Sequence, residues 1–238
     1  MLLTLSHVSK KYTLGDNEIK ALDDVSLKVQ EGEFLAIMGP SGSGKSTFLQ
    51  VASMLARPSD GNILLKGKDV TSYNEIERAK LRNKEIGFVF QQFNLLARTS
   101  ALDNTSLPLV YAGLPSSERD KQAKHMLEKL GLGDRLDNSP AQLSGGQQQR
   151  VAIARALVND PSIIFADEPT GNLDSKSGED IKKILLDLHK EGKTIIMVTH
   201  ESEDASIAKR LVLLRDGKLV SDDRVKNKKD IDRKLIEK

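Results

Sequence analysis

Cysteine is absent from this chain of 238 residues. Its absence excludes disulfide scaffolds, thiolate zinc sites and thiol nucleophiles, and it argues against secretion, while a reducing cytoplasm is compatible with it. An excess of charge of one sign is absent too, because 36 Lys and Arg residues face 34 Asp and Glu residues, which leaves a net charge of +2. So small a net charge supplies no broad field for nucleic acid or anionic lipid, and we expect no nucleic-acid partner.

Long hydrophobic runs are missing as well. The longest apolar stretches, such as residues 34–38, are far shorter than the roughly 20 residues of a transmembrane helix. Residues 1–7 lack a basic region followed by an apolar segment, so we expect neither a signal peptide nor a membrane anchor. If this protein serves a membrane, another chain is expected to supply the membrane spans.

Short apolar runs indicate an α/β protein. With 38% hydrophobic and 29% charged residues, the composition fits one large domain, and no internal repeat is found. Alternating apolar residues on both sides of a turn at 15–17 predict an antiparallel N-terminal β-lobe. Later runs predict buried strands that alternate with helices, as is typical of a mainly parallel sheet. The predicted strands are 34–38, 63–65, 86–90, 163–166 and 195–198, and the helices between them include 45–55 and 177–190, the latter ending at Gly192.

A segment of different character interrupts this alternation between residues 93 and 161. Pro108 and Pro115 predict breaks in the chain. Ser117 and Asp120 form a candidate capping box, and the helix that begins there is expected to stop near Gly131.

These patterns predict how the chain is divided. We expect a core with its β-lobe over 1–92 and 162–220, and an inserted helical lobe over 93–161. Residues 211–220 predict a terminal hairpin. A charged tail follows over 221–238, and its pattern fits either an exposed helix or partial disorder.

A glycine-rich loop between a predicted strand and a predicted helix carries the first chemical motif. It fits the pattern G-x-x-x-x-G-K-S/T, in which backbone N–H groups surround phosphate oxygens and the helix N-terminus adds partial positive charge. Lys45 would neutralise phosphate, and the Ser46 hydroxyl would ligate Mg²⁺. The predicted nucleotide-binding residues of this segment are Gly39, Pro40, Ser41, Gly42, Ser43, Gly44, Lys45, Ser46 and Thr47.

Two adjacent carboxylates follow the apolar strand predicted at 163–166. In a parallel α/β sheet the carboxyl ends of the strands face the ligand. We therefore predict that Asp167 enters the Mg²⁺ shell and that Glu168 is the general base that faces the attacking water.

A second glycine-bearing segment precedes a helix predicted at 148–158, where N–H groups and a hydroxyl can meet an anion. Its residues are Leu143, Ser144, Gly145, Gly146 and Gln147. With these motifs in this order, the chain resembles an ATP-binding cassette (ABC) ATPase subunit, with Walker A at 39–46, the signature at 143–147 and Walker B at 163–167. The resemblance covers nearly the whole chain, through about residue 217.

The resemblance implies a P-loop NTPase core whose inserted helical lobe carries the signature, with ATP and Mg²⁺ as cofactors and ATP hydrolysis as the reaction. It implies that Tyr12 stacks on adenine and that Gln91 links Mg²⁺ and the water to the helical lobe, although Gln92 follows directly. It also implies that His200 contacts the γ-phosphate.

The family's D-loop falls on residues 171–174. Gly171 stands where many members have serine, so any role of that hydroxyl is absent here. Asp174 is expected to remain available for contacts across a dimer.

The resemblance also implies partners. One Walker A and one signature per chain predict a two-fold dimer with two ATP molecules between the subunits. A membrane permease would dock beside Gln91, at Phe93, Leu95 and Leu96, and would hold the protein at the cytoplasmic face of the cell membrane.

Residues 87–96 and 166–175 most resemble the branch that serves MacB-type exporters and lipoprotein-releasing LolCDE complexes. The alternative within the family is a signalling or cell-division complex that transmits a conformational change without moving cargo. A soluble ABC ATPase acting on DNA or ribosomes is disfavoured, because the chain has neither two cassettes nor a long coiled-coil insertion.

Overall fold

The computed structural model describes residues 1–15, 17–225 and 228–236. The chain forms two compact units. The first unit consists of Met1–Arg78 and His189–Lys238, and the second unit is Ala79–Leu188. The bounds of the second unit differ from those of the expected helical lobe, residues 93–161. The helical lobe therefore stays a prediction.

Strands and helices alternate along the described residues as the apolar runs predict. The strands are β1 Leu3–Leu14, β2 Asn17–Val29, β3 Phe34–Met38, β4 Asp60–Leu65, β5 Lys68–Asp69, β6 Ile86–Val89, β7 Ile163–Asp167, β8 Thr194–Val198, β9 Arg210–Arg215 and β10 Lys218–Arg224. The helices are α1 Lys45–Ala52, α2 Glu75–Glu85, α3 Ala101–Tyr111, α4 Ser116–Lys129, α5 Gly145–Leu157, α6 Ser175–Lys190, α7 Ser202–Ala205 and α8 Lys228–Ile236, with a short 3-10 turn at Pro140–Gln142.

The first unit contains the predicted antiparallel β-lobe, a sheet in the order β2-β1-β4-β5. Leu3 of β1 pairs with Val29 of β2 on one side and with Leu65 of β4 on the other, and all three side chains are buried. This alternation of apolar and polar residues places one face of the lobe against the core. The β-lobe prediction is confirmed, while Asp16 of the predicted turn lies outside the described residues.

The second sheet of the first unit is mostly parallel. Strand β3 runs parallel to both β8 and β9, and β10 adds an antiparallel edge beside β9. Every residue of β3 and β8 is buried, which explains why both strands are continuous apolar runs. Ile37 pairs with Val198, so the loops that follow β3 and β8 leave the sheet at the same edge.

The second unit is built around a parallel pair of strands, β6 and β7, whose last paired residues are Val89 and Ala166. Helix α5 packs against β6 and against α3 and α4. The buried residues 151–154 of α5 supply its core face. The predicted α/β class, with its mainly parallel strands and its antiparallel lobe, is confirmed.

Several local predictions are wrong. Pro108 does not break the chain but lies inside α3. Its missing N–H costs about 3 kcal/mol or more in a helix interior. This cost is offset by burial of Leu109 and by a capping box in which the Ser100 hydroxyl accepts the Asp103 N–H at 3.0 Å.

The start of α4 also differs from the prediction. Ser117 and Asp120 form no capping box, because the helix already begins at Ser116 with Pro115 as its N-cap and without a side-chain cap. Proline suits this place because its fixed φ is compatible with a helix start. The predicted stop near Gly131 is confirmed by its positive φ of 73°.

The C-terminal boundary at residue 221 is wrong as well. Residues 221–224 belong to β10, where Asp222 pairs with Val212 of β9. Beyond them, Val225 and Ile231 are buried, so α8 does have a core-facing residue. Within the described part of the chain, none of the helices combines the length and the apolar character that crossing a bilayer requires.

Candidate functional site

The glycine-rich loop of residues 39–46 connects β3 to α1 in the first unit. Gly44 is the N-cap of α1 with φ 100° and ψ 5°, and no side chain caps the helix. A Cβ atom on Gly44 would lie 2.3 Å from the Ala21 carbonyl oxygen, so only glycine fits this position. The first N–H groups of α1 have no intrahelical acceptor, and this geometry suits an anion.

Lys45 closes over this loop. Its Nζ donates to the carbonyl oxygens of Gly39 at 2.7 Å and Pro40 at 2.9 Å. The ammonium group is thereby held beside the same N–H groups, as a phosphate cradle requires.

A cavity of about 430 Å³ lies at this helix start in the first unit. The sequence patterns predict five of its lining residues, namely Gly42, Gly44, Lys45, Ser46 and Thr47. They do not predict the others, because these come from β2 and from the turn between β9 and β10. The additional lining residues are Ile19, Lys20, Ala21, Asp216 and Gly217.

Tyr12 reaches this region through strand pairing. It lies opposite Ile19, which lines the cavity, although Tyr12 itself is not among the lining residues. Its side chain is 40% exposed, and the Lys10 Nζ lies 5.2 Å from the centroid of its ring. The ring is therefore an accessible stacking surface in contact with a cation.

His200 follows β8 in the first unit and is exposed. Because β3 and β8 are parallel neighbours, His200 and the glycine-rich loop both follow the carboxyl end of a strand at the same sheet edge. The Thr199 N–H donates to the Ile37 carbonyl at 3.2 Å, which fixes the start of this segment.

The second unit brings three other predicted residues to one sheet edge. Gln91 follows β6, while Asp167 ends β7 and Glu168 follows it. Glu168 adopts a positive φ of 43°, which is unusual for a residue with a Cβ atom. Its carbonyl accepts the Gly171 N–H at 3.1 Å, and the Asn172 side-chain amide donates to the Gln91 carbonyl at 3.0 Å.

The signature segment forms the N-terminus of α5. Ser144 is the N-cap, and its hydroxyl accepts the Gln147 N–H at 3.3 Å, while the Gln147 side chain accepts the Ser144 N–H at 2.9 Å. Ser144 is exposed, and the helix has 13 residues, so its N-terminus presents N–H groups and a hydroxyl to an anion.

Asp174 has a role within its own chain. Its carboxylate accepts the Ser177 N–H at 3.0 Å and the Ser177 hydroxyl at 2.7 Å, which caps α6. These hydrogen bonds hold the pKa of Asp174 below its ordinary value. The carboxylate thus has partners within its own chain, and its expected contact across a dimer stays a prediction.

Each unit offers oxygen donors of the kind that Mg²⁺ prefers over those typical of transition-metal sites. The first unit offers the Ser46 hydroxyl, and the second unit offers the Gln91 amide oxygen and the Asp167 carboxylate. Across the described residues, no group of three or more His, Cys, Asp or Glu side chains could hold a metal ion. A magnesium ion bound partly by phosphate oxygens needs no such group.

The ABC transporter family profile matches residues 22–171. The chain belongs to this family. An ABC transporter ATP-binding protein of Thermotoga maritima is 52% identical over 92% of this chain and 93% of its own length. The macrolide export ATP-binding/permease protein MacB of Hyphomonas neptunium is 51% identical over 93% of this chain, which spans only 34% of that relative.

A solved ABC cassette has the same fold. The dimeric, post-hydrolysis structure of the ATP-binding cassette MJ0796 with ADP and Pi has a TM-score of 0.87 and 43% identity, and the match covers 94% of this chain and 98% of that one. The predictions of an ABC ATPase with a P-loop NTPase fold are confirmed. As an ABC ATPase, this chain binds ATP and hydrolyses it.

Proposed function

We propose that this ABC ATPase dimerises head to tail around ATP and powers a separate membrane permease of the MacB or LolCDE kind. One observation carries the proposal: the chain has two helix N-termini suited to anions, one at α1 behind Gly44 and one at α5 behind Ser144. One of them would bind a subunit's own ATP, and the other would complete the site of its partner.

Within the nucleotide site, residues 39–47 hold the phosphates and Tyr12 stacks on adenine. Ser46, Asp167 and Gln91 would hold Mg²⁺, which would neutralise charge on the phosphate oxygens. Ile19, which lies opposite Tyr12 and is exposed, adds an apolar contact at the same end of the cavity.

Hydrolysis uses residues of this chain as base and sensor. Glu168 accepts a proton from the water that attacks the γ-phosphate, and ADP and phosphate are the products. Gln91 orients this water, and His200 contacts the γ-phosphate. Loss of the γ-phosphate removes contacts that favour the closed dimer, so the subunits separate.

The head-to-tail dimer is supported by the solved structure of MJ0796, which is dimeric with ADP and Pi. It is also supported by the motif count, because each chain has one loop of the 39–46 type and one signature. A symmetric dimer places Ser144, Gly145 and Gly146 of one subunit against the ATP of the other.

A permease partner is supported by the MacB relatives, whose name joins ATP-binding and permease functions in one chain. The chain spans about a third of their length, 34%. The spans would come from a separate chain, and the protein would be peripheral at the cytoplasmic face of the membrane.

The second unit offers a receptor for that partner, a cavity of about 270 Å³. It is lined by Asn83, Ile86, Phe88, Phe90, Asn94, Leu107, Pro108, Arg155, Ala156 and Asn159. Phe93, Leu95 and Leu96, the residues expected from the sequence, are not among them. Burial lowers the pKa of Arg155, whose guanidinium donates to the Asn94 and Phe93 carbonyls at 2.6 and 2.8 Å.

The dimer and the base assignment are tested together by the mass of Glu168→Gln in solution, measured by light scattering with and without MgATP. The amide cannot accept the proton, but the phosphate contacts remain, so we expect ATP to double the mass and turnover to fall by about 10²-fold or more. Lys45→Ala is the matched control, and it should bind ATP weakly and stay monomeric.

Two results would contradict these assignments. Wild-type turnover in Glu168→Gln would exclude Glu168 as the base. A Glu168→Gln protein that binds ATP but stays monomeric would show that the signature does not complete a partner's site in the isolated protein.

A further inference from the structure

We propose that Gln149 is a positioning residue for ATP hydrolysis, which ties together the two backbone segments that carry Gln91 and Glu168. The inference rests on the proposed function, in which both of these side chains act on the attacking water. Gln149 lies on α5, two residues beyond the signature 143–147, and no motif assigns it a role.

The side chain of Gln149 is fully buried, with 0% of its surface exposed. Its amide nitrogen Nε2 donates to the Phe90 carbonyl at 3.3 Å and to the Pro169 carbonyl at 2.6 Å. Phe90 immediately precedes Gln91, and Pro169 immediately follows Glu168. One side chain therefore bonds to the backbone beside both catalytic groups.

The two segments need such a link because the strands no longer supply one. Pairing between β6 and β7 ends at Val89 and Ala166, just before the segments in question. Beyond that point Glu168 adopts its positive φ of 43°, a conformation that a non-glycine residue keeps only when its surroundings hold it. Beyond the last paired residues of β6 and β7, the Gln149 amide donates a hydrogen bond to each of the two segments.

A hydrogen-bond donor suits this place. Two carbonyl oxygens face it, and the –NH₂ group has one hydrogen for each, whereas the amide oxygen would be repelled by both. The Gln149 Oε1 is buried without a hydrogen-bond partner among the described residues. Both hydrogen bonds that this side chain donates therefore go to the segments that carry Gln91 and Glu168.

The test is the steady-state kinetics of Gln149→Met, which keeps the shape of the side chain but removes both donors. We expect kcat to fall by about 10- to 100-fold, because the water-handling groups lose their alignment. KM for MgATP should change by less than about twofold, because the phosphate-binding loop lies in the first unit and is untouched.

Asn104→Leu is the matched control. Asn104 is also a fully buried amide of the second unit, and it donates to the Leu96 and Ser100 carbonyls at 3.2 and 3.0 Å. Its replacement should lower the melting temperature but leave kcat near the wild-type value. A loss of kcat in both variants, in proportion to their loss of stability, would overturn the proposal.

A second variant, Gln149→Glu, gives a readout that changes with pH within a single protein. A protonated carboxyl group can donate one hydrogen bond to the carbonyls, whereas a carboxylate can donate none. Burial at position 149 raises the pKa of a carboxyl group and so favours its protonated form. The ratio of its kcat to that of the wild type should therefore rise as the pH falls from about 8.5 to about 6.5.

Failure of this inference differs from failure of the proposed function. If Glu168→Gln abolishes turnover while folded Gln149→Met keeps the wild-type kcat, only the role of Gln149 is wrong. If the ratio of the Gln149→Glu kcat to the wild-type kcat does not change with pH, the proposed role of Gln149 is also wrong. This test remains usable when Gln149→Met does not fold. Wild-type turnover in Glu168→Gln would instead refute the base assignment.

Discussion

Replacement of Gly146 by alanine separates a packing requirement from a nucleotide contact in the signature. Gly146 is buried in the first turn of α5. A Cβ atom there would lie 2.8 Å from the Ser177 Oγ and 2.9 Å from the Ser177 Cβ. Ser177 cannot move freely, because its N–H and hydroxyl both bond to the Asp174 carboxylate. Gly146→Ala must therefore break this cap or displace α6.

The expected size of the effect follows from three opposing terms. Alanine is favoured over glycine in a helix by about 1 kcal/mol. Overpacking of a filled site costs about 1–3 kcal/mol, and loss of an N-cap costs about 1 kcal/mol. We expect a net loss of about 1–3 kcal/mol in the free energy of unfolding, which lowers Tm by about 3–9 °C in a chain of this size.

Thermal and urea unfolding measure this loss, and Ser177 provides the compensating change. Ser177→Gly removes both obstructing atoms, so Gly146→Ala should cost less stability in a Ser177→Gly background than in the wild type, whereas Ser177→Ala keeps the Cβ atom and should not lower that cost. Gly178→Ala is the control, because its new Cβ would meet only Thr170 atoms at 3.8 Å. A Gly146→Ala protein as stable as the wild type would refute the packing argument.

ATPase activity of the Gly146→Ala, Ser177→Gly double variant then reports on the nucleotide. Restored stability with restored activity would mean that Gly146 is needed for packing only. Restored stability with persistent loss of activity is what we expect if the partner's ATP lies against Gly146, since the added methyl group would occupy that space.

Two further predictions concern the permease and acid stability. Leu107→Glu places a charge in the cavity of the second unit and should lower the fraction of protein that sediments with native membrane vesicles. Val110→Glu, on the exposed side of the same helix, should not lower this fraction. Equal binding of both variants would exclude this cavity as the docking site. Hydrogen bonds from Ser177 lower the pKa of Asp174 below its ordinary value of 3.8. The ionised Asp174 carboxylate therefore stabilises the fold at pH values above 3.8, and this stabilisation is lost as the pH falls through the pKa of the folded state. The stability advantage of the wild type over Asp174→Asn should therefore shrink between about pH 6 and about pH 3 in unfolding titrations, and a constant difference would contradict the capping role.

Many elements could be predicted because their signal is local. The strand at Phe34–Met38 is a continuous apolar run bounded by glycine, and its limits were predicted to the residue. Helix α2, by contrast, was missed because its only large apolar side chains, Ile76 and Leu81, form no periodic stripe. Pro108 was misread because a local rule for proline cannot include the packing that offsets its cost.

The chemical motifs were determined by the sequence itself. A loop such as 39–46 needs its residue types at fixed spacing to surround a phosphate, and the same holds for 143–147 at the start of α5 and for the two acids at the end of β7. These requirements act within a few bonds of the backbone, so they are readable without a fold.

Only the tertiary structure decided which distant residues join these motifs. Ile19 and Asp216 line the cavity of the first unit because β2 and the turn after β9 come together there. The three glutamines 147–149 look alike in sequence, yet Gln147 caps α5 and Gln149 is buried against two loops. Such contacts depend on the direction of a side chain in the folded protein. Because the contacting residues are far apart in sequence, no local sequence pattern predicts these contacts.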